Sequence, residues 1–205
     1  MKFFAKFLST VLHPLLMPVY VFGYMFYFLP EMVTPIRAEM FPMLLGLVAV
    51  STFMLPGITV LLLHKAGVIS EVRIEDRKDR FVPHIISSAI YMATCWLFYS
   101  KLSPVPILYI LMVSITACMT LVTVINFFWK ISAHATALGG ITAFLMFAFM
   151  GFGFDFLLYS VLIAIVLAGL VMASRLYLQV HTLAQVCAGF ILGLSVGLVG
   201  LTVIS

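Results

Sequence analysis

Residues 156–173 read FLLYSVLIAIVLAGLVMA, eighteen consecutive positions without a charged side chain. A helix needs roughly 20 predominantly apolar residues to cross the hydrocarbon core of a bilayer. Working outward, comparable stretches lie at 7–29, 41–63, 84–102, 106–128, 135–152 and 184–204. Across all 205 residues, 64% are hydrophobic, 9% are charged and the mean hydropathy is +1.24. Soluble domains carry about 25% charged and 45–50% apolar residues. A chain of this length cannot hide so much apolar surface from water, so lipid must be its solvent. The expected fold is an all-α integral membrane protein, a bundle of six to seven transmembrane helices. It is read as a single transmembrane domain over residues 1–205, with two leading spans in 7–63 and a core over 64–205.

The connections between these stretches are short and marked by helix breakers: Pro30 and Pro35, Pro104 and Pro106, and Gly151-Phe152-Gly153. The longer one, HKAGVISEVRIEDRKDRFVP at 64–83, holds nine of the eighteen charges, between Lys65 and Arg80. The N-terminus, with Lys2 and Lys6 before an apolar run, resembles a signal peptide without a small-residue cleavage site, and is expected to be a retained first helix. Pro14 and Pro18 are expected to kink that helix or tilt its start into the interface. The small-residue runs Ala135–Gly140 and Ala188–Gly197 suit close helix packing.

Seven crossings put the N-terminus and the connections at 64–83, 129–134 and 174–183 on one rim. Nine of the eleven Lys and Arg residues then share that rim, with Arg37 and Lys101 opposite. The positive-inside rule makes the basic rim cytoplasmic, although basic residues kept to bind an anion would mimic that signal. The net charge of +4 comes without a basic patch interleaved with aromatics, which excludes a nucleic-acid partner. Cys95, Cys118 and Cys187 lie in separate apolar stretches without CxxC spacing, so neither a disulfide framework nor a zinc site is expected.

Ionisable residues at membrane depth are costly and mark function by default. Topology gathers three clusters on the basic rim: Arg73 and Arg80 with Pro83 following, Lys130-Ile131-Ser132-Ala133-His134, and Ser174-Arg175 with His181 and Gln185. In order and spacing these resemble the type 2 phosphatidic acid phosphatase superfamily, whose active site is shared with acid phosphatases and vanadium haloperoxidases. That family's signatures are Lys-x6-Arg-Pro, Pro-Ser-Gly-His and Ser-Arg-x5-His-x3-Asp. Residues 174–181, SRLYLQVH, match the third, with Gln185 where the family has Asp. ISAH at 131–134 matches the second, with Ile131 for Pro and Ala133 for Gly. Arg73 to Arg80 matches the first loosely, with Arg for Lys and the proline displaced to Pro83. The resemblance covers the chain from about residue 65 to its end and makes the core a phosphatase-like one.

The resemblance implies hydrolysis of a phosphomonoester or diphosphate on a lipid through a phosphohistidine. His181 would be the nucleophile, and His134 the general acid and then the base for water. Arg73, Arg80, Ser132, Ser174 and Arg175 would bind the phosphate, since arginines match its oxygens with paired charge-assisted hydrogen bonds. No cofactor and no metal is implied. In the family, the Asp replaced here by Gln185 orients the nucleophile and stabilises its cation. An amide oxygen keeps the orientation and not the charge. Losing the equivalent carboxylate of a serine-protease triad costs roughly 10⁴-fold, partly through the wrong tautomer, so a smaller loss is expected here.

Other ionisable residues have plainer readings. His13, His64 and His84 are expected at the interface, Lys130 snorkelling, Asp155 in water, and Glu71, Glu75, Arg77 and Lys78 in a solvated loop. The expected place is a multi-pass position in the bacterial inner membrane, with a lipid phosphate and the membrane lipids as partners. The sequence sets no oligomeric state. Two rival functions are a catalytically weak relative that binds phospholipid or anion without turnover, and a small transporter or channel.

Overall fold

A computed structural model describes residues 2–72, 78–102 and 105–202; Arg73 lies outside the described residues. The described residues form helices and no strands. In chain order these are α1 (Lys2–Val11), α2 (Met17–Phe28), α3 (Phe41–Ala49), α4 (Leu55–Lys65), α5 (Phe81–Leu102), α6 (Pro106–Phe128), α7 (Ala133–Phe152), α8 (Asp155–Tyr177) and α9 (Leu183–Thr202). Among the described residues six helices are long and apolar enough to cross a membrane: the continuous Ala38–Lys65 helix that contains α3 and α4, and α5 to α9. Their outward faces carry large apolar side chains such as Trp96, Met150, Ile163 and Val199, each more than half exposed. A face of that kind is suited to lipid. The chain is a multi-pass integral membrane protein.

The N-terminal stretch differs from expectation. The single helix read over 7–29 breaks at residues 12–16 into α1 and the 12-residue α2. Pro14 ends α1 because proline lacks the N–H and its ring clashes with the preceding turn, and Pro18 is tolerated because it sits in the first turn of α2. At 1.5 Å per residue α2 is about 18 Å long, short of a full span. It nevertheless reaches both halves of the bundle. Met17 packs with Leu138, Ala168 and Val171 near the basic rim, while the Tyr24 hydroxyl meets Ser160 Oγ at 2.7 Å near the opposite one. The side assignments of the later connections therefore survive the break.

Between α3 and α4, Val50–Met54 form one turn of π-helix. Pro56 has no N–H to offer the Thr52 carbonyl four residues back. The Tyr91 hydroxyl of α5 fills that vacancy at 2.9 Å and pins the two spans together. At the far rim Gly153 closes α7 with φ 66°, its N–H donating to the Phe149 carbonyl at 2.8 Å, so that two residues, Gly153 and the extended Phe154, turn the chain into α8.

Packing is unequal along the bundle. The main buried cluster joins Phe22 and Phe26 of α2, Phe98 of α5, Met112 of α6, Phe144 of α7 and Leu157 of α8, all in the half away from the basic rim. Beneath the basic rim the bundle opens, down to Leu111 and Leu201 at the edge of that cluster. It holds a cavity of about 1060 Å³.

Candidate active site

The site is assembled by the closest helix contact in the molecule, α7 against α9. On α9, Gly189, Gly193 and Gly197 face the α7 backbone. A methyl at Gly189 would lie 2.6 Å from the Ser132 carbonyl, and one at Gly193 would collide with the Thr136 carbonyl. Small residues let the backbones approach to this distance. The two helix starts are joined as well, with the Ser132 N–H donating to the Gln185 carbonyl at 3.3 Å. The Ser-x-His and Ser-Arg-x5-His stretches, some forty residues apart in sequence, are thereby neighbours.

His181 sits in the connection between α8 and α9, buried. α8 ends in a Schellman motif: the Gln179 N–H donates to the Leu176 carbonyl at 2.9 Å and the Val180 N–H to the Arg175 carbonyl at 3.3 Å. Gln179 holds the left-handed position with φ 56°, where glycine is usual. The chain then enters α9 through half of a capping box, Thr182-Leu183-Ala184-Gln185. Gln185 Oε1 accepts the Thr182 N–H at 3.1 Å. The same oxygen accepts the His181 Nδ1–H at 3.1 Å. Because the cap requires the oxygen at that place, the amide orientation is set, Nδ1 must carry the proton, and Nε2 is left as the lone-pair nitrogen.

Charge around His181 is of one sign. Burial and then Arg80 hold its pKa down to about 4; the Gln185 hydrogen bond works against them, and Arg175 and Lys130 add to the lowering. His13 is likewise lowered to about 4, by burial first and then by Arg175. Both rings are neutral at pH 7. Arg80, Arg175, His134 and His181 all line the cavity, and among the described residues no Asp or Glu does. Asp79 instead faces water and anchors the approach to α5: its carboxylate accepts the Ser70 N–H at 2.8 Å and the Ser70 hydroxyl, a pairing that lowers its pKa. That clip fixes the turn from which Arg80 enters the cavity. Such a pocket, cationic at its mouth and apolar below, suits an anionic head on an apolar body.

The remaining sequence candidates are distributed differently. Ser132 is fully buried as the N-cap of α7, its hydroxyl accepting the Ala135 N–H at 3.4 Å. The Ser174 hydroxyl donates to the Leu170 carbonyl at 2.8 Å. Neither serine lines the cavity, so both shape the backbone that carries their neighbours. His64 joins the Ile69 carbonyl through Nδ1 at 3.3 Å and stays with the loop. His13 and His84, expected at the interface, are in the cavity wall. For His84 a signal existed: it follows Arg80 by four residues and so shares its helix face. For His13 only the adjacent Pro14, which ends α1, hinted at an inward turn. Among the described residues no group of three or more His, Cys, Asp or Glu side chains is placed to hold a metal ion.

Residues 125–205 match the family model of the PAP2 superfamily. No curated protein and no solved structure matches the chain. The family match takes in Ser132, His134, Arg175, His181 and Gln185, and supports a phosphatase-like function in general.

Proposed function

We propose, from this chain's place in the type 2 phosphatidic acid phosphatase-like superfamily, that it removes a phosphate from a lipid in a cell membrane, the bacterial inner membrane being the expected one. The observation that carries the proposal is His181: its Nδ1–H is anchored on Gln185 and its Nε2 is free, among Arg80, Arg175 and Lys130. In this reading Nε2 attacks phosphorus, and the bond from phosphorus to the lipid oxygen breaks. His134 takes the proton of the substrate's phosphate monoanion and passes it to the leaving oxygen. Water then attacks the phosphohistidine and gives its proton to His134, the P–N bond breaks, and inorganic phosphate leaves with that proton, which returns His134 to its resting state. Arg80 and Arg175 meet the charge on the transferring oxygens. Below them the cavity wall descends α6 from Val122 to Leu111, about 16 Å at 1.5 Å per residue, which gives the lipid tail an apolar bed.

A second reading is favoured by Gln185, a neutral amide serving a helix cap, which suits a site that binds lipid phosphate without turnover. The two are separated by phosphate release from a panel of lipid phosphates by purified protein, beside His181→Ala and Gln185→Asp. The phosphatase reading expects release that His181→Ala abolishes and Gln185→Asp increases. No release from any substrate, with no gain in Gln185→Asp, leaves the binding reading. Release that survives His181→Ala removes the phosphohistidine.

A further inference from the structure

The last carbonyls of a helix have no donors within it. At the end of α1 two of them are taken by side chains from elsewhere. The Tyr20 hydroxyl donates to the Val11 carbonyl at 2.9 Å, and His134 Nε2 lies 3.0 Å from the Ser9 carbonyl. A carbonyl only accepts, so His134 Nε2 carries the proton and Nδ1 is the ring nitrogen left over. Two residues past the end of α1, His13 sets its ring edge-on to His134, with centroids 5.4 Å apart and planes at 80°. His13 is itself anchored, its Nδ1 accepting the Leu15 N–H at 3.3 Å. The other charged or titratable groups in electrostatic reach of His134 are Arg175 from α8 and His181 from the connection to α9. Ser9 and His13 lie more than a hundred residues ahead of the family-matched region.

We infer that residues 9–13 are a positioning element of the site: the Ser9 carbonyl fixes the tautomer of His134, the His13 ring fixes its plane, and Nδ1 is thereby the nitrogen that exchanges protons with the substrate. This rests on the phosphatase reading. Nδ1, bare in the resting ring, takes the proton of the incoming phosphate monoanion and passes it to the leaving oxygen as the phosphorus–oxygen bond breaks. It then takes a proton from the attacking water and releases it with the departing phosphate, while Nε2–H stays on the Ser9 carbonyl throughout. The carbonyl end of a helix carries partial negative charge, so α1 offers the ring a neutral acceptor where other histidine pairs use a carboxylate. The site has no carboxylate among its described lining residues. A neutral acceptor for each histidine, Gln185 for one and Ser9 for the other, is then a consistent design.

Two measurements on the full-length protein in detergent test this. The first is ¹⁵N NMR of histidine-labelled protein at pH 7, with the His134 signals identified by their loss in His134→Gln. A ring protonated at Nε2 is expected; one protonated at Nδ1 overturns the proposal whether or not the protein is an enzyme. The second is the steady-state kinetics of His13→Ala and His13→Phe on a lipid phosphate. His13→Ala is expected to lower kcat about tenfold or more through misplacement of His134, with KM held within about twofold. His13→Phe keeps the ring edge and is expected to recover most of that loss. An unchanged kcat in His13→Ala, even with a lowered Tm, overturns the proposal, and so does a His13→Phe variant no better than alanine. A wild-type protein that releases no phosphate removes the phosphatase reading instead, and the tautomer is still decided by the first measurement.

Discussion

Gln185 shows how one side chain can serve two masters at a helix start. Its oxygen closes the cap on Thr182 and holds the tautomer of His181. An acceptor at this place was legible from the spacing of the third motif, whereas its sharing with the cap depends on which backbone amide lies beside it. The depressed pKa of His181 sets a pH dependence. A nucleophile must be neutral, so kcat/KM is expected to hold as pH falls through 6.5 and to decline only as it approaches about 4. An acid limb near the ordinary histidine value in a pH–rate profile contradicts this. His13 and His181 cost the fold nothing above about pH 6.5. Between there and about 4 the unfolded chain binds protons that the folded chain does not, so stability is lost on acidification through that window. Gln179 offers a further check. A non-glycine residue in the left-handed region costs about 1–2 kcal/mol. Gln179→Gly is therefore expected to raise Tm in a thermal unfolding assay, and a lowered Tm contradicts the strain.

At the scale of elements, α7 and α9 form the frame on which the two histidine motifs depend. Both small-residue runs were visible in the sequence, and so was their suitability for close packing. That they face each other was not, because each span offers several faces of small residues and only the assembled bundle selects one pair. Gly193 is the tightest point of that contact. Gly193→Leu must push the Thr136 backbone away and is expected to destabilise by about 1–3 kcal/mol or more, in the range of overpacked sites. Lost thermal stability together with lost phosphate release supports the frame; a Gly193→Leu protein as stable and active as wild type removes it. The break between α1 and α2 teaches the same distinction. Pro14 and Pro18 announced an irregularity, but a proline signals only that a helix cannot continue unaltered. Whether the chain kinks or turns along the rim depends on what receives it, here α8 for α1 and the bundle interior for α2.

For the whole molecule, the main aromatic packing lies away from the basic rim, and a cavity opens beneath that rim and reaches down to Leu111 and Leu201 of the packed cluster. The molecule's two-sidedness is open to a topology test. With the native cysteines replaced, single cysteines at Lys78 and Lys101 are expected to react with an impermeant thiol reagent from opposite sides of the membrane. Equal reactivity of both from one side contradicts the arrangement. That the stretch 7–29 breaks and leaves six long spans among the described residues was not legible in the sequence. Membrane residence, the positions of the six long spans from residue 41 onward and the sharing of one rim by Arg80, His134 and Arg175 were, because they follow from hydropathy, breakers and the parity of crossings. Those quantities are local, and they add along the chain. Only the tertiary structure decided that Ser132 and Ser174 serve the backbone, that His13 and His84 line the cavity, and that the Ser9 carbonyl meets His134. Such contacts join residues far apart in the chain, and they are settled by which helix faces can approach closely enough to touch.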